Sequence, residues 1–371
     1  MLKRFLILFF KLGLSLVFFV AISQAQEKNS LNIQSVLDKN FKKNDSYNGV
    51  ILIAKKGEIV FNQGYGYRDI ETGVKLKTDD VFELASVSKQ FTAMIIMLLQ
   101  QEGKLNYDDP VEKYLSIPYK GITIRNLLNH TSGLPDYQEI MDNHWDKSKA
   151  AGNNDILEYL NKYAPPAMFV PGAKYEYSNT GYVLLASIAE KASGEDFSMM
   201  LRKRIFSKLN MKHTDIRTVA EKKKLPNLAY GHTLVEGAKD YKKADSFPSS
   251  NYTIWLGNRE GPGRISSTAL DLLKWDRALY DQSFLTSDMI SEAFKPAVLN
   301  DGKYSPYGFG WELNQDKRHG KVVEHSGDNP GYKTEIVRYI DADITIILLC
   351  NNAHANFPTF LADLKEYVSL N

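Results

Sequence analysis

The residues that most constrain the fold are 82–103, FELASVSKQFTAMIIMLLQQEG, where a lysine precedes a long apolar run. Residues 93–99 are apolar without a break, which predicts a helix that is buried on most of its sides. Ser86 and Lys89 are spaced i and i+3, so on a helix they share one face. Because lysine is seldom buried without a partner, Lys89 is expected either to reach solvent or to be held inside for a chemical reason.

Composition indicates a large globular protein. The chain has 371 residues, of which 43% are hydrophobic, and this is enough to bury a sizeable core. A formal net charge of +2 gives no reason to expect nucleic acid as a partner. The single cysteine, Cys350, lies in a strand-like run, cannot form an intramolecular disulfide, and is expected to be inert packing.

Residues 1–25 have the pattern of a secretory signal peptide. Two basic residues precede an apolar run at 5–22, and Ser23-Gln24-Ala25 is a small-x-small cleavage signal. The alternative is a transmembrane anchor that is never cut; no cysteine follows the run, so a lipoprotein anchor is not expected. We therefore expect a periplasmic or secreted mature chain, residues 26–371, without a further membrane span.

Strand patterns occur at both ends of the chain, with helical patterns between them. A hairpin is predicted at 49–62, and strand-like runs return between 307 and 352 before a closing helix at about 358–368. Residues 108–252 are mostly helical, and a further helix is predicted at 267–278 with Ser267 as its N-cap.

This order of elements predicts an α/β (α+β) fold. One antiparallel sheet would be built from both ends of the chain, flanked by helices, with a mainly helical region inserted. We place the sheet half at 26–105 and 255–371 and the helical half at 106–254, within one domain.

The first motif that could carry chemistry is Ser86-Val87-Ser88-Lys89, the only S-x-x-K in the chain. A helix N-terminus has unpaired N–H groups and a partial positive charge, so a serine there can act as a nucleophile beside an oxyanion site. A desolvated lysine loses proton affinity and can accept the serine proton. The alternative is a capping serine and a lysine that extends to solvent.

The second motif is Tyr177-Ser178-Asn179, which follows a Pro-Gly turn and therefore lies in a loop. A tyrosine near an ammonium can serve as acid or base, and an amide can bind both a substrate carbonyl and a lysine. The other Y-x-N, at 159–161, lies in a helical pattern and is interpreted as core packing. The alternative for the second motif is an ordinary turn before a helix.

The third motif is His325-Ser326-Gly327, at the end of a predicted strand. A glycine there lets a ligand backbone approach closely, and the two polar side chains can bind a substrate edge. A purely structural histidine is the alternative. The remaining histidines show no metal-binding spacing, so no metal or cofactor is expected.

Together, S-x-x-K, Y-x-N and H-S-G resemble the serine beta-lactamase-related family, which comprises class C beta-lactamases, DD-peptidases and related esterases and peptidases. The similarity extends from about residue 32 to the end of the chain. It includes the segments LLNHTSGLPDY (127–137), GPGRISSTALDLLKW (261–275), YGFGW (307–311) and HSGDNPGY (325–332).

The resemblance implies a beta-lactamase/transpeptidase-like fold with the active site in the cleft between the two halves. Ser86 would be the nucleophile, Lys89 its activating partner and Tyr177 a proton shuttle, and these three are treated as a unit. Asn179 would orient the substrate.

The resemblance also implies groups on the strand side of the cleft. The oxyanion hole would consist of the backbone N–H groups of Ser86 and Asp328. An extended acyl donor would lie along a wall formed by three residues, His325, Ser326 and Gly327.

One departure from the family pattern bears on the substrate. Class C beta-lactamases have lysine where this chain has His325, and histidine is mostly neutral near pH 7. We therefore expect an exported serine hydrolase that cleaves a small ester or a peptide-like amide, as an esterase or a D-amino-acid or DD-type peptidase, with a small molecule or peptide as its partner. Family members with histidine at this position include DD-peptidases, so a substrate that bears a carboxylate is also open. The alternatives are a class C-like beta-lactamase, a penicillin-binding protein that deacylates slowly, and a catalytically silent binding protein. The acyl donor, the leaving group and the oligomeric state are left open.

Overall fold

The computed structural model describes residues 33–42, 46–234, 240–248, 251–281 and 284–370, and the predicted signal peptide lies outside them. The strands are β1 Gly49–Lys55, β2 Glu58–Tyr65, β3 Tyr67–Asp69, β4 Val74–Lys75, β5 Phe82–Glu83, β6 Asp215–Ile216, β7 His232–Thr233, β8 Lys242–Lys243, β9 Ile265–Ser267, β10 Glu312–Asp316, β11 Gly320–Asn329, β12 Tyr332–Tyr339 and β13 Ile344–Cys350.

The α-helices are α1 33–40, α2 Lys89–Gln101, α3 Ile124–Leu128, α4 Tyr137–His144, α5 Asn153–Tyr163, α6 Asn179–Ser193, α7 Phe197–Leu201, α8 Val219–Lys222, α9 Tyr252–Trp255, α10 Ala269–Ala278, α11 Ser287–Ala293 and α12 Phe357–Leu370. Three single turns of 3₁₀-helix are Ala85–Ser88, Val111–Lys113 and Ala244–Ser246, and Arg202–Phe206 is a π-helical turn. None of the described helices is long and apolar enough to cross a membrane.

The main sheet has six antiparallel strands in the order β10-β11-β12-β13-β1-β2. It therefore combines the N-terminal hairpin with the C-terminal strands, which confirms the predicted mixed fold. The hairpin turn is Lys56-Gly57, with φ of 52° and 78°. Two left-handed residues in a two-residue loop match the right-handed twist of the flanking strands, which favours this turn.

Both faces of the sheet pack against a core. Successive side chains of a strand point to opposite faces, so neighbouring residues of β1 belong to different cores. Val50 and Leu52 of β1 belong to the larger core, which also contains the apolar residues of α2 and α6. Ile51 and Ile53 belong to a smaller core that contains the apolar residues of α1 and α12. Apolar residues on both faces explain why the strand-like runs near the C-terminus are continuously apolar rather than alternating.

Two predicted element boundaries were wrong. The helix predicted from Ser267 begins at Ala269, because Thr268 is its N-cap and accepts a hydrogen bond from the Asp271 N–H at 3.2 Å. Ser267 instead ends β9 and pairs with Phe82. The strand expected from residue 307 begins only at Glu312. Gly310 has a φ of 79°, a left-handed conformation that interrupts an extended strand.

Candidate active site

Ser86 lies on a tight 3₁₀ turn between β5 and α2. The α-helix therefore begins at Lys89, one turn after Ser86. The turn is fixed at Leu84, whose N–H donates to the Ile265 carbonyl at 2.9 Å and whose carbonyl accepts from the Thr334 hydroxyl at 2.8 Å. Ala85 has a φ of 48°, a conformation that costs energy for a residue with a Cβ. Residues i and i+3 are eclipsed in a 3₁₀-helix, so Ser86 still faces Lys89.

Lys89 is completely buried and is surrounded by three oxygen atoms. Its Nζ lies 3.0 Å from Ser86 Oγ, 2.9 Å from Asn179 Oδ1 and 3.0 Å from the Pro262 carbonyl oxygen. Burial, and next the nearby Arg259 guanidinium, hold the pKa of Lys89 well below its usual value. The neutral amine can donate to Asn179 and Pro262 while it accepts a hydrogen bond from the Ser86 hydroxyl.

The Pro262 carbonyl was not anticipated as a partner of Lys89. It is positioned by a close approach of the chain to α6, where a Cβ on Gly261 would lie 2.1 Å from the Tyr182 carbonyl oxygen. The Thr92 hydroxyl donates to the Gly261 carbonyl at 2.7 Å and ties the same segment to α2. The Gly-Pro-Gly sequence marks a tight turn, but no sequence signal indicates which side chain the turn faces.

Tyr177 and Asn179 lie where a loop enters α6. Ser178 caps the helix by accepting from the Gly181 N–H at 3.2 Å, which places Asn179 on the first turn beside Lys89. Lys89 Nζ is 4.7 Å from the centroid of the Tyr177 ring. Burial raises the pKa of Tyr177, although the residue is 36% exposed, while a hydrogen bond with Ser86 acts in the opposite direction. Tyr177 is therefore a neutral phenol at neutral pH.

His130 is a second residue that sequence reasoning did not assign to the site. It is fully buried, and its Nδ1 accepts a hydrogen bond from the Ser178 N–H at 3.0 Å. Its ring centroid is 4.3 Å from that of Tyr177 and 4.4 Å from that of Tyr307. Burial above all holds the pKa of His130 well below its usual range. A neutral His130 therefore supports the loop that carries Tyr177.

His325 is buried beneath the cleft and both of its ring nitrogens are occupied. Nδ1 lies 2.6 Å from the Ser326 carbonyl oxygen, which can only accept, so Nδ1 carries the proton. Nε2 then accepts from the Tyr307 hydroxyl at 2.7 Å. Burial above all lowers the pKa of His325 to about 3. His325 is therefore neutral near pH 7.

One edge of β11 has no strand partner, among the described residues, along the stretch that contains Ser326, Gly327 and Asp328; we call it the open edge. β10 pairs with β11 only as far as Glu324, so the stretch from 325 to 329 is bonded on one side, to β12. Ser326 and Asp328 are exposed, and the Asp328 carboxylate forms an ion pair with Lys333. The open edge carries the backbone amide that was predicted to share the oxyanion hole with Ser86.

Gly327 brings this edge against the turn that carries Ser86. A Cβ at Gly327 would lie 2.2 Å from both the Leu84 carbonyl oxygen and the Thr334 Oγ1. Only glycine permits this approach, because contacts this short do not occur between real atoms.

We expect Gly327→Ala to lower the rate of covalent labelling by a fluorophosphonate probe at least about a hundredfold, because a displaced strand removes an oxyanion donor. Labelling rates followed by intact-mass analysis measure the effect. Gly181→Ala is the matched control, since its added Cβ would meet its nearest neighbour at 3.4 Å, an ordinary contact. Equal labelling of the Gly327→Ala variant and the wild type would contradict the role of this approach.

Two distant segments of the chain thus meet around the Lys89 amine, and they contribute Ser86 on one side and Tyr177 with Asn179 on the other. Among the described residues, no group of histidine, cysteine and acidic side chains could hold a metal ion. The arrangement provides a hydroxyl, a proton acceptor of lowered pKa and a phenol, and these are the chemical groups that acyl transfer requires.

Comparison with known proteins assigns this arrangement to a family. A family model described as Beta-lactamase matches residues 35–366. The chain belongs to the beta-lactamase family. The predicted resemblance is therefore confirmed.

Among curated members of the beta-lactamase family, Penicillin-binding protein 4* of Bacillus subtilis (strain 168) is 40% identical over 307 residues, covering 82% of this chain and 68% of the relative. The chain spans about two thirds of the length of the curated relatives that it matches.

Solved structures of the beta-lactamase family have the same fold. D-amino acid amidase from Ochrobactrum anthropi SV3 superposes with a TM-score of 0.72 at 26% identity, covering 94% of this chain and 97% of the amidase. The octameric penicillin-binding protein homologue from Pyrococcus abyssi gives a TM-score of 0.74 at 25% identity, covering 89% and 76% of the two chains. The chain is accordingly a serine hydrolase of the beta-lactamase family.

Proposed function

We propose that the protein is an exported serine hydrolase that cleaves a small ester or a peptide-like amide through an acyl-enzyme on Ser86. The observation that carries the proposal is the 3.0 Å contact between Ser86 Oγ and the buried Nζ of Lys89. Burial favours the neutral amine, and a neutral amine beside a hydroxyl is a general base.

In the first step Ser86 Oγ attacks the substrate carbonyl carbon, and its proton passes to the unit formed by Lys89 and Tyr177. The carbonyl oxygen becomes an oxyanion, which the backbone N–H groups of Ser86 and Asp328 would stabilise. When the tetrahedral intermediate collapses, the bond to the leaving group breaks, and the leaving oxygen or nitrogen takes the proton from the same unit. Water then attacks the acyl-enzyme, with the proton transfers repeated, and regenerates Ser86.

The neutral His325 supports a substrate without a carboxylate at its leaving-group end. Its two nitrogens are bonded to Ser326 and Tyr307, so its ring offers no cation to a ligand. The D-amino acid amidase has the same fold, and its name says that it cleaves an amide of an amino acid, a bond whose leaving group carries no carboxylate. We therefore place esters and amides ahead of beta-lactams as substrates.

A substrate panel tests the proposal. We expect p-nitrophenyl butyrate to be hydrolysed with a much higher kcat/KM than nitrocefin, and the ratio to stay constant from pH 5.5 to 8 because His325 remains neutral throughout. His325→Lys should raise the kcat/KM for nitrocefin relative to the ester by about ten- to a hundredfold, the worth of one charge-assisted hydrogen bond. His319→Lys, which adds a lysine just before β11, serves as the control. A wild-type kcat/KM for nitrocefin of about 10⁷ M⁻¹ s⁻¹ would identify a beta-lactamase instead.

A second function is favoured by the name of the relative that is 40% identical, Penicillin-binding protein 4*. A penicillin-binding protein that deacylates slowly would use the same groups and stop at the acyl-enzyme. Intact-mass analysis after penicillin treatment separates the two. A penicilloyl adduct that persists for hours, together with no ester turnover, would favour the second function.

We also propose that the protein is exported, since residues 1–25 have the signal-peptide pattern. We expect the chain isolated from its native host to begin near Gln26 and to appear in the periplasmic or extracellular fraction. Intact-mass analysis of that fraction measures the start of the chain. A membrane-bound form that still contains residues 1–25 would show an anchor instead.

A further inference from the structure

The three most exposed large hydrophobic side chains of the described chain lie on two loops that meet. Val170 is 71% exposed, Tyr304 70% and Val298 64%. Met168, on the same loop as Val170, is 52% exposed. Single exposed apolar side chains are common on protein surfaces, whereas a group of the most exposed ones marks an interaction site. We call these four residues the apolar patch.

Hydrogen bonds hold the two loops of the apolar patch together. Val298 and Tyr304 form a β-bridge across a tight hairpin. Within this hairpin, Asn300 donates to two successive carbonyls of the other loop, through its side-chain amide to Pro171 at 3.1 Å and through its N–H to the next residue at 2.9 Å. Since Pro171 directly follows Val170, the exposed side chains of the two loops lie close together.

Both loops of the apolar patch lead into the active site. The first loop continues into Tyr177, and the hairpin continues into Tyr307, whose hydroxyl donates to His325. The rings of Tyr175 and Tyr307 stack with their centroids 6.1 Å apart, which joins the inner ends of the two loops. The apolar patch therefore lies at the rim of the cleft, outside the catalytic groups.

Side chains as exposed as those of the apolar patch protrude from the surface instead of enclosing a ligand. Small-molecule sites are concave and bury most of the ligand surface, so the patch is unsuited to a small molecule. The Tyr304 ring is apolar and ends in a hydroxyl, and tyrosine is enriched where acyl chains meet headgroups at a membrane surface. A lipid bilayer offers a broad surface with this succession of polar and apolar layers.

Lysines outnumber acidic residues around the apolar patch. Lys174 Nζ lies 4.9 Å from the centroid of the Phe169 ring, and Lys120 lines a groove together with Phe169, the residue before Val170. The charged residues on 165–176, on 295–304 and on this groove are Lys120, Lys174, Glu176, Lys295, Asp301 and Lys303. Four lysines and two acidic residues give a net charge of +2, which is complementary to anionic lipid headgroups.

We propose that the apolar patch contacts a lipid bilayer that contains anionic lipids. Val170, Val298 and Tyr304 enter the layer between the headgroups and the acyl chains, and the lysines lie among the lipid phosphates. The contact places the mouth of the active-site cleft at the membrane surface, because both loops lead into the site. The proposal does not depend on which bond Ser86 cleaves.

Sedimentation with vesicles of phosphatidylcholine and phosphatidylglycerol measures the binding. We expect Val170→Ser/Tyr304→Ser to bind at least about tenfold more weakly than the wild type, because two apolar side chains no longer enter the bilayer. The matched control is Ile59→Ser, which removes an exposed apolar side chain from β2, at the opposite edge of the main sheet from β10, and should bind within about twofold of the wild type. Vesicles of phosphatidylcholine alone should bind the wild type at least about tenfold more weakly. Thermal melting checks that each variant is folded.

Fluorescence locates the contact within the molecule. Tyr304→Trp and Ile59→Trp each place a reporter at an exposed site, and dibrominated phosphatidylcholine quenches a tryptophan that enters the acyl layer. We expect added quenching, relative to the wild type, only for Tyr304→Trp; an uncleaved anchor at residues 1–25 would not produce this difference. Equal quenching of the two reporters would overturn the proposal. A wild-type dimer that Val170→Ser/Tyr304→Ser abolishes, measured by light scattering after size-exclusion chromatography, would also overturn it, since a second copy of the chain would then cover the patch.

Discussion

Ser86→Ala is expected to abolish covalent labelling by a fluorophosphonate and to lower ester hydrolysis by about 10⁴-fold or more, while the protein stays folded. Removing the nucleophile of a unit that acts together typically costs this much, because the remaining groups cannot replace the bond it forms. The side chain lost is small, and its hydrogen-bond partner, Lys89, keeps two other acceptors. The fold should therefore tolerate the change.

The matched control for this variant is Ser88→Ala, on the same 3₁₀ turn. Ser88 is buried, and its Oγ accepts a hydrogen bond from the Ile265 N–H at 3.2 Å rather than facing Lys89. Ser88→Ala should lose some stability and keep the adduct, which intact-mass analysis detects. An adduct on purified Ser86→Ala at the wild-type rate would eliminate Ser86 as the nucleophile.

Lys89→Met is expected to lower kcat/KM for esters by about 10²–10⁴-fold, the usual worth of a general base. Methionine is similar in length and apolar, so it fills the buried position without a cavity. The variant should be at least as stable as the wild type at neutral pH.

The sign of the stability change follows from the lowered pKa of Lys89. Between the lowered pKa of the folded state and the usual value near 10.5, the unfolded chain binds a proton that the folded chain does not. Folding is therefore penalised at neutral pH, and the penalty disappears as the pH rises toward the unfolded value. Methionine removes the penalty together with the activity.

Two measurements check the assignment of Lys89. The kcat/KM of the wild type should reach a plateau well below pH 10.5, and the Lys89→Met variant should melt no lower than the wild type at pH 7. A kcat/KM that continues to rise about tenfold per pH unit through pH 10 would show an ordinary lysine. A difference in melting temperature between the variant and the wild type that stays the same from pH 7 to pH 10 would contradict the lowered pKa of Lys89, because only the wild type should gain stability as the pH rises.

Local spacing was sufficient to predict the groups that lie close in sequence. The unbroken apolar run predicted a buried helix, and the i, i+3 spacing predicted that Ser86 and Lys89 would share one of its faces. Strand patterns at both ends of the chain, with helical patterns between them, predicted the mixed sheet. Each of these depends on short-range periodicity, which a single sequence displays directly.

Contacts made through space could not be predicted in the same way. The Pro262 carbonyl reaches Lys89 only because Gly261 packs against the backbone of α6. The tautomer of His325 depends on Tyr307, which lies in a segment that was expected to be a strand. The N-cap of α10 moved by one residue because Ser267 is required for pairing with Phe82.

The central position of β1 in the sheet determines when the active site can form as the chain is synthesised. β1 is hydrogen-bonded to β2, which follows it immediately in the sequence. It is also hydrogen-bonded to β13, which lies far later in the sequence, as in the pair Gly49 and Cys350. Such distant pairing folds slowly, because a long loop must close before its contacts contribute. A nascent chain therefore carries Ser86 and Lys89 long before β11 and β13 exist to complete the cleft, so the nucleophile stays inactive until both strands have joined the sheet.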